Sequence, residues 1–158
     1  MSEVTERRPG ELVVTSRNAV AEAMATIGAV AGLRVVVLGD DDPEGSPFER
    51  LASRPLGHRD ALVIADHDAP QAYDLLRQAV RGEAGYVAML ASRPRTAEVL
   101  ATLREEGVDQ AALDRLHLPA GLNVGGKTPG EMALSVVAEV VAWRNGRSGH
   151  PMRDGLST

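Results

Sequence analysis

The chain predicts an α/β domain, a Rossmann-like three-layer α/β/α arrangement around a mostly parallel sheet. Three observations carry that expectation. Short aliphatic runs recur at Leu12-Val13-Val14, Arg34–Leu38, Ala61–Ala65 and Gly85–Met89. Segments with apolar residues at helical spacing stand between them. The loops that follow the runs (Thr15–Ala19, Gly39–Asp42, Asp66–Asp68, Leu90–Arg93) hold polar residues and turn formers. Continuous apolar runs suit strands buried on both faces, and strand–helix alternation forces parallel crossovers of one hand.

The elements follow in order. Residues 1–10 predict a flexible arm. Leu12–Val14 is the first strand. Residues 18–31 carry Val20, Met24, Ile27, Val30 and Ala31 on a helical period, and Gly32 supplies the stop. Arg34–Leu38 is the second strand, leading into the acidic, turn-rich stretch Gly39–Ser46. The segment from there to Arg59 has room for one short helix. Ala61–Ala65 is the third strand, ending in Asp66-His67-Asp68, with a helix from Pro70 to Arg81. Gly85–Met89 is the fourth strand. Residues 94–106 and 109–116 read as helices parted by Gly107. Thr128 then opens an apolar helix through Trp143: its hydroxyl can cap free N–H groups, Pro129 suits the first helical position, and Glu131 sits where a capping-box carboxylate belongs. Residues 11–145 form a single domain, and 146–158 a flexible tail.

Bulk composition bounds the function. At 158 residues with 44% hydrophobic side chains, the chain can bury a real core, built from Val, Leu, Ala and Ile because aromatics make up only 3%. A net charge of −5 argues against nucleic-acid binding, which needs clustered positive charge. With no cysteine, disulfides, thiolate catalysis and cysteine-held metals are excluded in these residues. Met132–Trp143 is too short to span a membrane and contains Glu139, and the polar start Met1–Arg8 has no apolar signal core. A cytoplasmic location is expected.

In a sheet of this kind, ligands bind beyond the carboxyl ends of the strands. A dinucleotide loop there reads G-x-G-x-x-G/A, so that backbone can approach a pyrophosphate. Here Ser16 and Asn18 take the places of the first two glycines and Ala21 the third. That makes ordinary dinucleotide binding doubtful and leaves open a mononucleotide, or a phosphate held by Ser16, Arg17 and Asn18. Asp40 follows the second strand, where a carboxylate could hold a ribose hydroxyl or simply form a solvated turn. Asp66 and His67 stand at the third strand end, with His67 a candidate for a proton carrier. Ser92 could cap a helix, and Arg93 could fork to a phosphate. Gly121, Gly125 and Gly126 lead to the helix opened by Thr128, whose N-terminus favours an anion. No metal-ligand set is evident.

Three blocks, Ala65-Asp-His-Asp68, Gly85-Tyr-Val-Ala-Met-Leu-Ala-Ser-Arg93 and His117–Glu139, together resemble the C-terminal Rossmann domain of the XdhC/CoxI family. The last block is the most specific, through Pro119-Ala-Gly-Leu-Asn-Val-Gly-Gly126 and Thr128-Pro129. The resemblance implies an accessory protein for maturation of molybdenum hydroxylases such as xanthine dehydrogenase and carbon monoxide dehydrogenase. It implies a molybdenum-cofactor or nucleotide ligand, and adds Asn123 to the candidate binding residues. It also implies a molybdenum hydroxylase, or a separate XdhC N-terminal-type chain, as partner. The family has Gly-Ala-Gly-His where this chain has Ser16–Ala19, and usually Asp where it has Asn123. The family's cysteine-bearing N-terminal domain has no counterpart in these residues. A homodimer is expected, and the apolar helix 132–143 reads as the central packing helix or a dimer contact. Two alternatives stand beside this reading: an NAD(P)-linked oxidoreductase using His67, and a non-binding dimerisation module that Val140→Glu would disrupt.

Overall fold

The computed structural model describes residues 10–155. Five strands make one sheet: β1 (Glu11–Thr15), β2 (Arg34–Leu38), β3 (Ala61–Ile64), β4 (Tyr86–Met89) and β5 (Leu116–His117). Their spatial order is β2-β1-β3-β4-β5, and every neighbouring pair is parallel. The register sets Val14 of β1 opposite Val37 of β2 and Val63 of β3. From β1 the chain moves to one side to form β2, then crosses back to form β3. The topological switch therefore lies between β1 and β3.

Strand periodicity divides the core into two. Leu12, Val14, Ala61, Val63, Tyr86 and Ala88 point to one face, covered by α1 (Ala19–Val30) and α6 (Pro129–Arg144). Val13, Leu62, Ile64, Val87 and Met89 point to the other, covered by α2 (Pro47–Ser53), α3 (Ala72–Arg81), α4 (Arg93–Glu105) and α5 (Gln110–Asp114). Burying such residues on both faces removes apolar area from water at roughly 25 cal/mol per Å², so this continuous packing dominates the fold's stability. α6 packs along α1 as well as on the sheet, which explains why its sequence is apolar nearly all round.

The four strands read from sequence are all present, each within a residue or two of its expected ends. β5 is the element the periodicity missed. Only two residues long, it carries no alternation to detect, and Leu116 falls within the helix expected over 109–116, which stops at Asp114. The helix expected from Pro70 begins at Ala72, because Asp66 Oδ1 accepts the Asp68 N–H (2.9 Å) and holds the intervening chain in a turn. The expected arm lies outside the described residues except for Gly10, which is buried. Of the expected tail, Met152–Asp154 form a short 3₁₀ turn, and residues 156–158 lie outside the described residues. Among the described residues no helix is long and apolar enough to cross a membrane.

Candidate functional site

The carboxyl ends of β1, β3 and β4 open into a cavity of about 610 Å³. Asn18 and Val20 bound it on the α1 side, Ala65–His67 and Leu90–Arg93 form its floor, and the loop 119–127 closes it over Met132 and Ser135 of α6. This loop lies over the strand ends because its backbone is tied at three points. Ala120 N–H donates to Met89 O (3.0 Å), Leu122 N–H to Ser135 O (3.2 Å), and Gly121 N–H to Glu139 Oε1 (3.2 Å). Gly121 has φ +98° and packs against the Ser135 side chain, so a β-carbon would meet both an unfavourable backbone region and the Ser135 hydroxyl.

Eight of the residues expected at the site line this cavity: Asn18, Asp66, His67, Ser92, Arg93, Asn123, Gly125 and Gly126. Five are placed elsewhere. Ser16 is buried, with φ +77°, and its hydroxyl donates to Asp40 (2.8 Å). Arg17 pairs with Asp42 outside the cavity. Gly121 lies behind the cavity wall, and Thr128 is spent capping α6, its Oγ accepting from Glu131 N–H at 3.1 Å. Even within the lining, several groups are already engaged. Asn18 Oδ1 caps α1 by accepting from Ala21 N–H (2.9 Å), while Nδ2 donates to Ala65 O (3.0 Å) across the switch point. Ser92 caps α4. His67 Nδ1 lies 3.1 Å from Asp68 Oδ1, but the pair is not aligned as a hydrogen bond and the buried Nδ1 makes none. No acid–base dyad of catalytic geometry is formed here.

The charge balance of the cavity is positive. Arg93 and Lys127 both line it, and among the described residues neither has an ion pair. Asp66 is the one carboxylate in the lining. The N-termini of α1, α4 and α6 all point to this edge of the sheet and add partial positive charge. Lys127 belongs to no recognisable motif in the sequence, since Gly125-Gly126-Lys127-Thr128 lacks the spacing of a phosphate-binding P-loop. Its signal was a lysine within the glycine loop that also carries Asn123.

A second group, behind the wall, was also missed. Glu139 Oε1 accepts from the Tyr86 hydroxyl (2.6 Å) and from Gly121 N–H, and lies 3.1 Å from His117 Nδ1. The His117 ring stacks on Tyr86 at 4.3 Å. Burial acts to raise the Glu139 carboxyl, but hydrogen bonds from His117 and Tyr86, the charge of His117 and the Gly121 N–H outweigh it and hold it below its ordinary value. Burial and the adjacent carboxylate push the Tyr86 phenol far above its ordinary range. The available signal was that Glu139 is the one charged residue between Met132 and Trp143.

With this geometry in hand, comparison with known proteins decides the family. The pattern of the XdhC Rossmann domain matches residues 12–140. The chain belongs to the XdhC family. This XdhC domain is also 34% identical over 105 residues to the uncharacterized protein YqeB of Escherichia coli (strain K12), covering 66% of the chain but 18% of that relative. A crystal structure from Bacillus halodurans, described as a xanthine dehydrogenase, superposes with a TM-score of 0.70 at 19% identity. That match covers 91% of the XdhC domain and 46% of the solved chain, and it establishes a shared fold. The XdhC domain thus spans less than half the length of either protein.

Proposed function

We propose that this domain is the ligand-binding part of an XdhC-type accessory system, holding the phosphate end of a nucleotide or of the molybdenum cofactor's pterin phosphate over the strand ends. The cargo would pass to a molybdenum hydroxylase in the cytoplasm. The observation that carries the reading is the pair Arg93 and Lys127. Two cations without an ion pair among the described residues line one concave site, at a sheet edge toward which helix N-termini point. An anion relieves that imbalance, and a phosphate matches it in charge and in hydrogen-bond acceptors. The donor set fits the phosphate end of such a group: Arg93 would fork to its oxygens, Lys127 would add a point charge, and Asn123 with the 125–126 backbone would line the approach. When bound, the cofactor would supply the redox chemistry of its recipient enzyme; this chain's residues would bind and orient it. Among the described residues, no cluster of His, Asp or Glu is arranged to hold a metal directly.

Calorimetry with GMP, AMP and a molybdopterin nucleotide tests the reading. We expect at least one to bind, with at least tenfold weaker affinity in Arg93→Ala/Lys127→Ala. If the folded wild-type chain binds none of them, the reading is wrong.

A further inference from the structure

The loop that a Rossmann domain normally opens to a dinucleotide is filled here by its own side chains. Its three residues each complete an internal contact. Ser16 donates to Asp40, the carboxylate about twenty residues on that a ribose hydroxyl would need. Arg17 reaches over the end of β2. Its Nε and Nη2 donate to Asp42 at 3.1 and 2.9 Å, and Nη2 also donates to Val37 O at 3.3 Å. Asp42 is fixed from two other sides, by Gly39 N–H (2.9 Å) and Arg50 Nη1 (3.0 Å). Asn18 accepts the first-turn N–H at Ala21, one of the donors an anion would otherwise claim, and bridges to Ala65 across the switch point.

The contacts of Ser16 and Arg17 occupy the β1–β2 half of the crevice, whereas the open cavity extends from Asn18 toward the ends of β3 and β4 and is lined by none of Ser16, Arg17, Asp40 and Asp42. A β-carbon on Gly39 would come within 2.8 Å of Arg17 Nε and 2.5 Å of Asp42 Oδ1, so the pair lies close against the backbone that leaves β2. The Arg17–Asp42 pair is bidentate. It raises the proton affinity of Arg17 and lowers that of Asp42, as expected of a mutually stabilised pair.

We infer that Ser16, Arg17 and Asn18 form a built-in plug that sets specificity, admitting a ligand with one phosphate-bearing headgroup and excluding one that lays a second nucleoside across the start of α1. The inference rests on the proposed phosphate site for the ligand that is admitted. The exclusion stands on the plug alone.

The test titrates GMP, ADP-ribose and NAD into wild type, Arg17→Ala, and Ser16→Gly/Arg17→Ala/Asn18→Gly. Wild type is expected to bind GMP at least tenfold more tightly than ADP-ribose or NAD. The triple variant is expected to gain at least tenfold for ADP-ribose. Arg17→Ala changes an exposed side chain and keeps the α1 cap, so it reports a smaller gain in the same direction should the triple variant not fold. Wild type binding ADP-ribose or NAD as tightly as GMP would overturn the plug and leave the phosphate site standing. So would the absence of any gain in the variants while wild type binds GMP. A gain for ADP-ribose in a protein whose wild type ignores GMP, AMP and the molybdopterin nucleotide alike would support the plug and overturn the phosphate site. No binding by any protein to any probe would overturn both.

Discussion

A single oxygen of Glu139 receives the Tyr86 hydroxyl at 2.6 Å and the Gly121 amide at 3.2 Å. Through that atom the base of β4 and the middle of α6 fix the loop that walls the cavity. The contact links a half-buried carboxylate to site geometry without placing it in the site.

Glu139→Ala leaves the Tyr86 hydroxyl and the Gly121 amide without their acceptor. Stranding buried donors of this kind costs about 1–3 kcal/mol. Urea unfolding should show that loss. Tyr86→Phe should cost less, because it removes a donor and leaves the carboxylate its other partners.

The acid limb of stability follows from the same residue. The folded-state carboxyl of Glu139 is held below its ordinary value of 4.5. Ionised Glu139 therefore stabilises the fold above the unfolded-state value, and that contribution is lost as pH falls through the lower, folded-state one. Melting temperature should fall more steeply with acid in wild type than in Glu139→Gln below about pH 5. Equal slopes would show that Glu139 does not govern the limb.

Asn18→Ala removes the α1 cap and the bridge to Ala65 together. A lost cap alone costs about 1 kcal/mol, within a range of roughly 0.5–2. Thermal melts of Asn18→Ala and Asn18→Asp separate the two roles, because aspartate keeps the capping oxygen and lacks the amide that donates to Ala65.

Two substitutions separate core from contact on α6. Val140 is 1% exposed and faces the sheet, so Val140→Glu should unfold the domain and cannot report on a dimer. Leu134 is 53% exposed. Leu134→Glu should change stability by no more than about 0.5 kcal/mol. If copies pair through this helix, light scattering should show the Leu134→Glu variant at half the wild-type mass.

Ligand affinity should also fall with salt. Arg93 and Lys127 are surface cations, and a Debye length near 10 Å at about 0.1 M screens their pull on a phosphate. GMP binding unaffected between low and high salt would argue against both.

The fold was legible because its strands are unbroken aliphatic runs, and runs of that kind survive any choice of side-chain partner. Arg34–Leu38 and the helix start at Thr128 could be read residue by residue. The site was legible only in outline. Sequence placed Ser16 and Asn18 at the strand ends correctly, but it could not show that the Ser16 hydroxyl is spent on Asp40 and the Asn18 amide on Ala65. Hydrogen bonds between residues more than twenty positions apart leave no local pattern. β5 and the Glu139 cluster escaped for the same reason, since both are defined by neighbours distant in the chain.

The order in which the cavity's parts are synthesised has its own consequence. Four strands and α1 are complete by Met89, yet the sheet face bearing Ala61, Val63, Tyr86 and Ala88 is sealed by Ala133, Val136, Val137 and Val140, which come well after them in the chain. A nascent chain emerging from the ribosome carries that bare apolar face until α6 follows, and it is exposed to aggregation for that interval. The proposed ligand capture, which needs the 119–127 wall, would then await synthesis of that loop.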